Sequence, residues 1–545
     1  MAQSGTGTPG STAPRPSVSP GQPETPEGYN LSARQAIRIA NQDPNVRKET
    51  EENGRLNASA EAKPPTTWQV GYFANDTEVA QVLVDDPTAT VRESWTGYQV
   101  AWQMARGYEG QFGHKLNAPY VWIALAAIFF FGLLDWRRPW RIVHLDLLVL
   151  LSFGISQAFF NDANIGVSVP LAYPPLLYLL ARMLWVGFRG IARGAGLRPS
   201  TPIAYLAIAT AFLLGFRIAL NVADSGVIDV GYAGVIGADH IEHGQTVWGV
   251  DAFPSDNSFG DTYGPANYYA YIPFEAALPW HGTWDELPSG HAAAIFFDLA
   301  TAVGLFFVGR RLRAGPAGNG LGAILAFAWA SYPYSDFALQ SNSNDSLIAA
   351  LLVWALVFFA SPIKRGILLA LSVMAKFATL PLAPLWATGQ RGLWSRPSLR
   401  PAIAFSGAFA IAGVLLLTLP ALDPGLATFW DRTVSSQINR DSPFSVWGQA
   451  DLDWLHTLVE ALVVGIAILV AFVPRRRSLP QIAALGAAVV IGVELTAQHW
   501  FYLYIPWFFP LLIVALAVFR EGEPIKHADP HRRATDTGLL TAAPD

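Results

Sequence analysis

The sequence predicts a polytopic α-helical membrane protein of about 11–12 transmembrane helices, preceded by a small N-terminal α+β domain. Three observations predict it. Apolar residues make up 52% of the 545 residues and charged residues only 14%, a balance foreign to soluble domains of this size. Apolar runs near the ~20 residues that cross a bilayer recur from residue 119 to residue 519. Arg and Lys collect after alternate runs, as they do on the cytoplasmic side of membrane proteins.

Charge and cysteine content exclude several classes. The formal net charge is −5, and no basic stripe remains once the Arg clusters beside the spans are set aside, which argues against nucleic acid as a partner. The chain has no cysteine, so disulfides, thiol catalysis and Cys-type zinc sites are ruled out.

Taken in order, residues 1–28 are rich in Ser, Thr, Gly and Pro with no apolar core and read as a disordered tail rather than a secretory signal. Residues 29–115 read as the α+β unit. LSARQAIRIAN has apolar residues at helical spacing with Ser32 as a cap, and WQVGY and VAQVLV alternate as half-buried strands do. The run from ARQAIRIA through WQVGYF to VLVDDPTATVRESWTG resembles a PepSY-type domain, which implies an external binding or packing module without catalysis.

The expected spans are 119–135, 142–160, 169–188, 202–220, 290–309, 320–335, 344–361, 402–420, 455–473, 480–498 and 501–519, the first three forming an addition over 119–200. The stretch 367–388 is apolar but broken by Lys376, Pro381 and Pro384. If it enters and returns as a broken hairpin, the Arg391, Arg396 and Arg400 group joins the other basic clusters on one side. The expected topology is therefore eleven full spans plus that hairpin, N-terminus outside, and a basic disordered tail over 521–545 in the cytoplasm of a plasma-membrane protein.

That topology places the longest polar interruption, 221–288, outside, together with 331–344, 423–453 and His499. The loop carries Asp224, Asp229, Asp239, His240, Glu242, His243, Asp251, Asp256 and Asp261 among many aromatics. An acidic, aromatic surface held between spans suits chemistry on a lipid-linked substrate.

Five segments in order, IDVGYAGVIGADHIEHGQTVWG with GDTYGPANYYAYIPFE, SNSNDSLIAALLVWAL, VMAKFATLPLAPLWA, FWDRTVSSQINRDSPFSVWG and QHWFYLYIPWFFPLLIVAL, resemble the GT-C class of integral-membrane glycosyltransferases. The likeness covers about residues 202–519 and is nearest to the family 87, mannosyltransferase-like type that uses polyprenyl-phosphate sugars. It implies an inverting transfer from a polyprenyl-phosphate-linked donor to a glycan, lipid or protein acceptor, with membrane lipids as surroundings. The carboxylate matching the class pattern is Asp229, three residues before Tyr232, with Asp224 as the alternate. A sugar hydroxyl needs a base to take its proton in the transition state, and negative charge beside the anomeric carbon favours an oxocarbenium-like state. Both residues also suit a plain helix-capping role.

The leaving phosphate needs cations or donors. Candidates are Arg440, bracketed by aromatics, His499 at a span end, and Lys376, whose place in a hairpin entered from the cytoplasm favours a structural role. Tyr263 precedes a Gly-Pro turn, and Asn344 and Asp345 open a span, where Asp345 either caps the helix or meets acceptor hydroxyls. Asp239, His240, Glu242 and His243 lack a third fixed ligand and read as a solvated helix face. No metal and no cofactor is expected, with a divalent cation left open. The three early spans and the PepSY-like unit depart from the class pattern. Two rival readings remain: a transporter, which predicts inverted repeats and paired ionisable residues at mid-span that the sequence does not display, and a non-catalytic scaffold.

Overall fold

The computed structural model describes residues 25–26, 28–63, 65–75, 77–107, 112–191, 195–254, 257–284, 286–438 and 442–517. Both tails thus fall largely outside the described residues.

The N-terminal unit begins with α1 (Ala33–Ala40), where Ser32 and Gln35 cap each other reciprocally, and α2 (Pro44–Asn53), capped by Asp43. Four strands follow: β1 (Asn57–Lys63), β2 (Thr67–Ala74), β3 (Thr77–Asp85) and β4 (Thr90–Thr96). They form one antiparallel sheet in chain order. Alternation puts Trp68, Val70 and Tyr72 of β2 and Ala80, Val82 and Val84 of β3 in one core with Ala36 and Ala40 of α1. The Asp86 carboxylate accepts from the Asn30 and Leu31 amides and the Trp68 indole, and so ties the chain entry to the sheet. Strand β1 was not expected, because NASAEAK offers only alanines as an apolar face.

A short helix α3 (Tyr98–Ala101) leads toward the membrane part. There, α4 (Pro119–Leu133), α5 (Ile142–Asn161), α6 (Ile165–Arg189) and α7 (Ile203–Asp224) precede two loop helices, α8 (Asp229–Glu242) and α9 (Pro265–Glu275). After them come α10 (Pro288–Leu312), α11 (Gly315–Ser331), α12 (Pro333–Gln340) and α13 (Asp345–Val357). Next are α14 (Pro362–Ala375), α15 (Ala383–Thr388) and α16 (Arg400–Leu422). Short helices α17 (Leu426–Trp430), α18 (Ser436–Ile438) and α19 (Val446–Gln449) then lead to α20 (Asp453–Phe472), α21 (Leu479–Thr496) and α22 (Ile505–Leu516).

Every expected span has a helix under it, but not every helix is long enough. Among the described residues, seven helices are long and apolar enough to cross a membrane. Helices α4, α11, α13 and α22 have 15, 17, 13 and 12 residues, and at ~1.5 Å per residue the last two fall well short of a ~30 Å hydrocarbon core. The expectation of eleven full spans is corrected accordingly. The physical reason is burial. Helices α13 and α22 lie inside the protein, where neighbours rather than their own length satisfy the backbone at their ends. Helix α21 is likewise central, 83% buried, whereas α16 is only 11% buried and offers Ile403, Ile411, Val414 and Leu415 outward.

The stretch 367–388 does turn back. Helix α14 ends at Ala375, Lys376 is extended, and a tight turn over Phe377–Leu382 starts α15 in the return direction. Its two ends meet where the Arg365 guanidinium donates to the Trp386 carbonyl at 2.9 Å and the Phe359 carbonyl at 2.6 Å. Arg391 and Arg476 pair across an antiparallel bridge at this same end.

Ionisable residues are paired inside the helical body, contrary to the sequence reading. Arg217 of α7 is fully buried and donates to Asp298 of α10 at 2.7 Å, to Asp336 of α12 at 3.2 Å and to the Trp329 carbonyl at 3.1 Å. Arg182 of α6 donates to both oxygens of Asp146 on α5 at 3.0 Å. These partners stand far apart in the chain, so no local pattern announces them.

Candidate functional site

Helix α8 fits its surroundings through three glycines. A Cβ at Gly231 would lie 2.2 Å from the Asn342 carbonyl oxygen, and at Gly234 and Gly237 it would strike the Tyr271 and Tyr268 rings at 2.6 and 2.1 Å. The GYAGVIGA pattern therefore lets α9 and the buried turn 341–344 close against one helix. That packing puts Asp229, the first residue of α8, at the rim, exposed, with its carboxylate accepting from the Val230 amide at 2.9 Å and its carbonyl accepting from Asn257.

Below the rim lies Tyr263. Its carbonyl accepts from the Trp248 indole at 3.0 Å. Gly264 is pressed against the tip of the broken hairpin, where a Cβ would lie 2.1 Å from the Met374 carbonyl oxygen. Gly264→Ala is expected to cost at least ~1–3 kcal/mol by overpacking against backbone that cannot yield. Thermal unfolding of the variant in detergent checks this, and an unchanged midpoint would contradict it.

At that tip, Lys376 Nζ stands 2.5 Å from Asp345 Oδ1, and the Trp507 indole donates to the same oxygen at 2.8 Å. The ammonium also faces the rings of Trp507, Tyr504 and Tyr263 at 5.0, 5.5 and 5.8 Å, within cation–π range. Tyr504 and Trp507 are stacked at 4.3 Å. Burial holds the Tyr263 phenol well above its usual range, and the nearby charges of Asp229, Tyr504 and Asp345 add to the effect.

Asn344 donates to Asn267 at 2.8 Å across the floor. Asn344 Oδ1, Asn267 Nδ2 and Asp345 Oδ2 are buried without a protein partner. Such atoms are few in folded proteins and match water or a ligand's hydroxyl groups.

Tyr263, Asn344, Asp345 and Lys376 therefore meet, with Asp229 above them. At the tip of the hairpin Lys376 forms its ion pair with Asp345 at the start of α13. Asp224 is elsewhere, accepting from the Lys115 amide at 3.2 Å with Lys115 Nζ at 3.8 Å, and so helps fix the connection from the N-terminal unit. His499 is elsewhere too. It contacts Ser442 Oγ at 2.9 Å and lies against the Phe444 and Trp102 rings at 5.2 and 5.7 Å. Arg440 lies outside the described residues.

Sequence reasoning missed Asn267, Tyr504 and Trp507, which no local motif sets apart from the other polar and aromatic residues near the span ends. It also missed Arg432, which grips Asp261 with two bonds of 2.5 and 2.9 Å, while the Gly249 amide donates to the same carboxylate at 3.1 Å. Burial raises the Asp261 carboxyl above its ordinary range against the pull of Arg432, and the bond to Asp261 raises the Arg432 guanidinium. This bidentate contact clamps the loop over 249–261 to the segment 431–435 beside the site.

Asp239 and His243 pair at 3.1 Å one helical turn apart on α8. Among the described residues no three His, Asp or Glu side chains converge as metal ligands. No family model matches the chain, and no curated protein matches it either.

Proposed function

We propose that the protein is an integral-membrane glycosyltransferase that moves a hexosyl, mannose-like unit from a polyprenyl-phosphate donor to a glycan, lipid or protein acceptor. The observation that carries the reading is the buried Lys376–Asp345 pair with the Tyr263 ring beside the ammonium, at the end of the helical body where the loop that begins α8 with the exposed Asp229 packs. In this reaction the acceptor hydroxyl gives its proton to the Asp229 carboxylate as its oxygen bonds to the anomeric carbon. The bond from that carbon to the phosphate oxygen breaks, and the electron pair leaves with the phosphate. A single displacement inverts the anomeric centre. Lys376 supplies a cation for the departing phosphate, and the stacked Tyr504 and Trp507 offer apolar faces to a sugar ring. Apolar helix faces such as that of α16 suit the polyprenyl tail. The distribution of Arg and Lys supports an external site in a plasma membrane, with the N-terminal unit outside and the C-terminus in the cytoplasm.

Membranes containing the chain are expected to transfer labelled sugar from polyprenyl-phosphate mannose, and Asp229→Asn at equal expression is expected to lower the rate by ~100-fold or more, the scale of a lost general base. Full transfer by the variant would remove Asp229 from the role, and silence of the unmodified chain with a panel of such donors would remove the reading. A second reading, transport, is favoured by the buried Arg217, Asp298 and Asp336 and by the broken hairpin, both of which occur along transport pathways. Uptake of a lipid-linked or small solute into vesicles without sugar transfer would favour it.

A further inference from the structure

The base of the broken hairpin concentrates positive charge that no carboxylate balances among the described residues. Arg365 and Arg477 are buried there, and helix carbonyls occupy them. Arg365 caps the ends of α13 and α15 through the Phe359 and Trp386 carbonyls, and Arg477 bonds the Val470 carbonyl near the end of α20 and the Thr388 hydroxyl. Arg391, Arg475 and Arg476 are exposed and have no such partners. Among the described residues no carboxylate forms an ion pair with any of the five.

Arg391 and Arg476 face each other directly across an antiparallel bridge. The flanking bonds, Gly392 amide to Arg475 carbonyl at 3.1 Å and Arg477 amide to Gln390 carbonyl at 2.9 Å, make them a non-hydrogen-bonded pair, the kind in which side chains come closest, with Cα atoms ~4.5 Å apart. Like charges so placed repel. The pairing is nonetheless held rigidly. A Cβ at Gly392 would lie 2.3 Å from the Phe472 carbonyl oxygen, so only glycine lets the segments close. Trp394 beside them is 59% exposed and lies against Phe472, the placement of an interfacial anchor.

A fixed, unbalanced guanidinium pair at the membrane border needs an anion with several acceptor oxygens. We infer that Arg391 and Arg476, with Arg475 beside them, bind the phosphate headgroup of an anionic bilayer lipid at the base of the broken hairpin. Arginine forks suit phosphate oxygens, and basic recesses between membrane helices hold such headgroups. The lipid would brace the hairpin whose tip carries Lys376. The inference does not depend on what the site at the tip catalyses.

The test is native mass spectrometry of the full chain released from nanodiscs containing equal phosphatidylglycerol and phosphatidylcholine, with Arg391→Gln/Arg476→Gln compared against Arg310→Gln/Arg311→Gln. The control removes the same charge from the exposed end of α10. Retained phosphatidylglycerol is expected to fall at least fivefold in the first variant and less than twofold in the second. Equal loss in both would show general attraction to basic ends and overturn the site, as would no loss in either. Inorganic phosphate binding to detergent-purified protein and displacing the lipid at millimolar concentration would assign the pair to a free phosphate instead and overturn the lipid. Thermal unfolding of each variant reports whether it is folded. Should the double variant fail to fold, Arg391→Lys/Arg476→Lys, which keeps the charge but removes the fork, is expected to lose at least threefold, and unchanged retention would overturn the site.

Discussion

Lys376→Met is expected to destabilise the protein by about 3–5 kcal/mol, the usual cost of stranding one partner of a buried ion pair. Asp345 would keep only the Trp507 indole on Oδ1 and have nothing on Oδ2. The side chains of the pair are 11% and 1% exposed, so water offers little compensation. Lys376→Met with Asp345→Asn removes both charges and is expected to recover most of the loss, which a double-mutant cycle by thermal unfolding in detergent would read as strong coupling. Lys364→Met on the same hairpin, at an exposed position, is expected to change stability by less than ~0.5 kcal/mol. A single-variant loss below ~1 kcal/mol, as exposed pairs show, would mean that the pair is hydrated and that the tip of the hairpin is not closed as described.

The second large effect is expected at Arg217. This guanidinium serves two carboxylates and a carbonyl from α10, α11 and α12, and Gln340 completes the network by donating to Asp336 at 2.8 Å. Arg217→Met would leave both carboxylates without a cation in surroundings sealed from water, so its cost is expected to reach or exceed ~3–5 kcal/mol. Asp298→Asn is expected to cost at least ~2 kcal/mol less, because one guanidinium would still face one carboxylate and the amide oxygen can still accept from Trp329. Unfolding midpoints of the two variants decide the matter. Equal losses would mean that each carboxylate depends on the arginine to the same degree, and the asymmetry argued from charge count would be wrong.

Much of the site was visible as residue types without their company. Tyr263 was singled out for its Gly-Pro turn, Asn344 and Asp345 for opening a span, and Lys376 because a charge that interrupts an apolar stretch has an energetic reason to be there. What could not be read was that a single extended residue at Lys376 turns the hairpin so that its tip meets the start of α13. Asp224 and Asp229 looked alike in the sequence, five positions apart, yet one braces Lys115 and the other opens α8. His499 was read with the phosphate ligands, but it clusters with the rings of Phe444 and of Trp102, which arrives from the N-terminal unit.

The sequence by itself determined the apolar, polytopic helical class, the order of the apolar helices, the α+β unit in front of them and the broken stretch at Lys376. These follow from composition and from periodicities of two and 3.6 residues, which are local. Tertiary structure alone decided which helices fall short of a full span, which charges are paired inside the body and which polar residues share the floor of the site. Those depend on contacts between residues 31 to 171 positions apart, such as Asp345 with Lys376 and with Trp507, or Arg432 with Asp261. An ion pair or a shared hydrogen bond leaves no local periodicity, so only the packing of the helices could bring its members together.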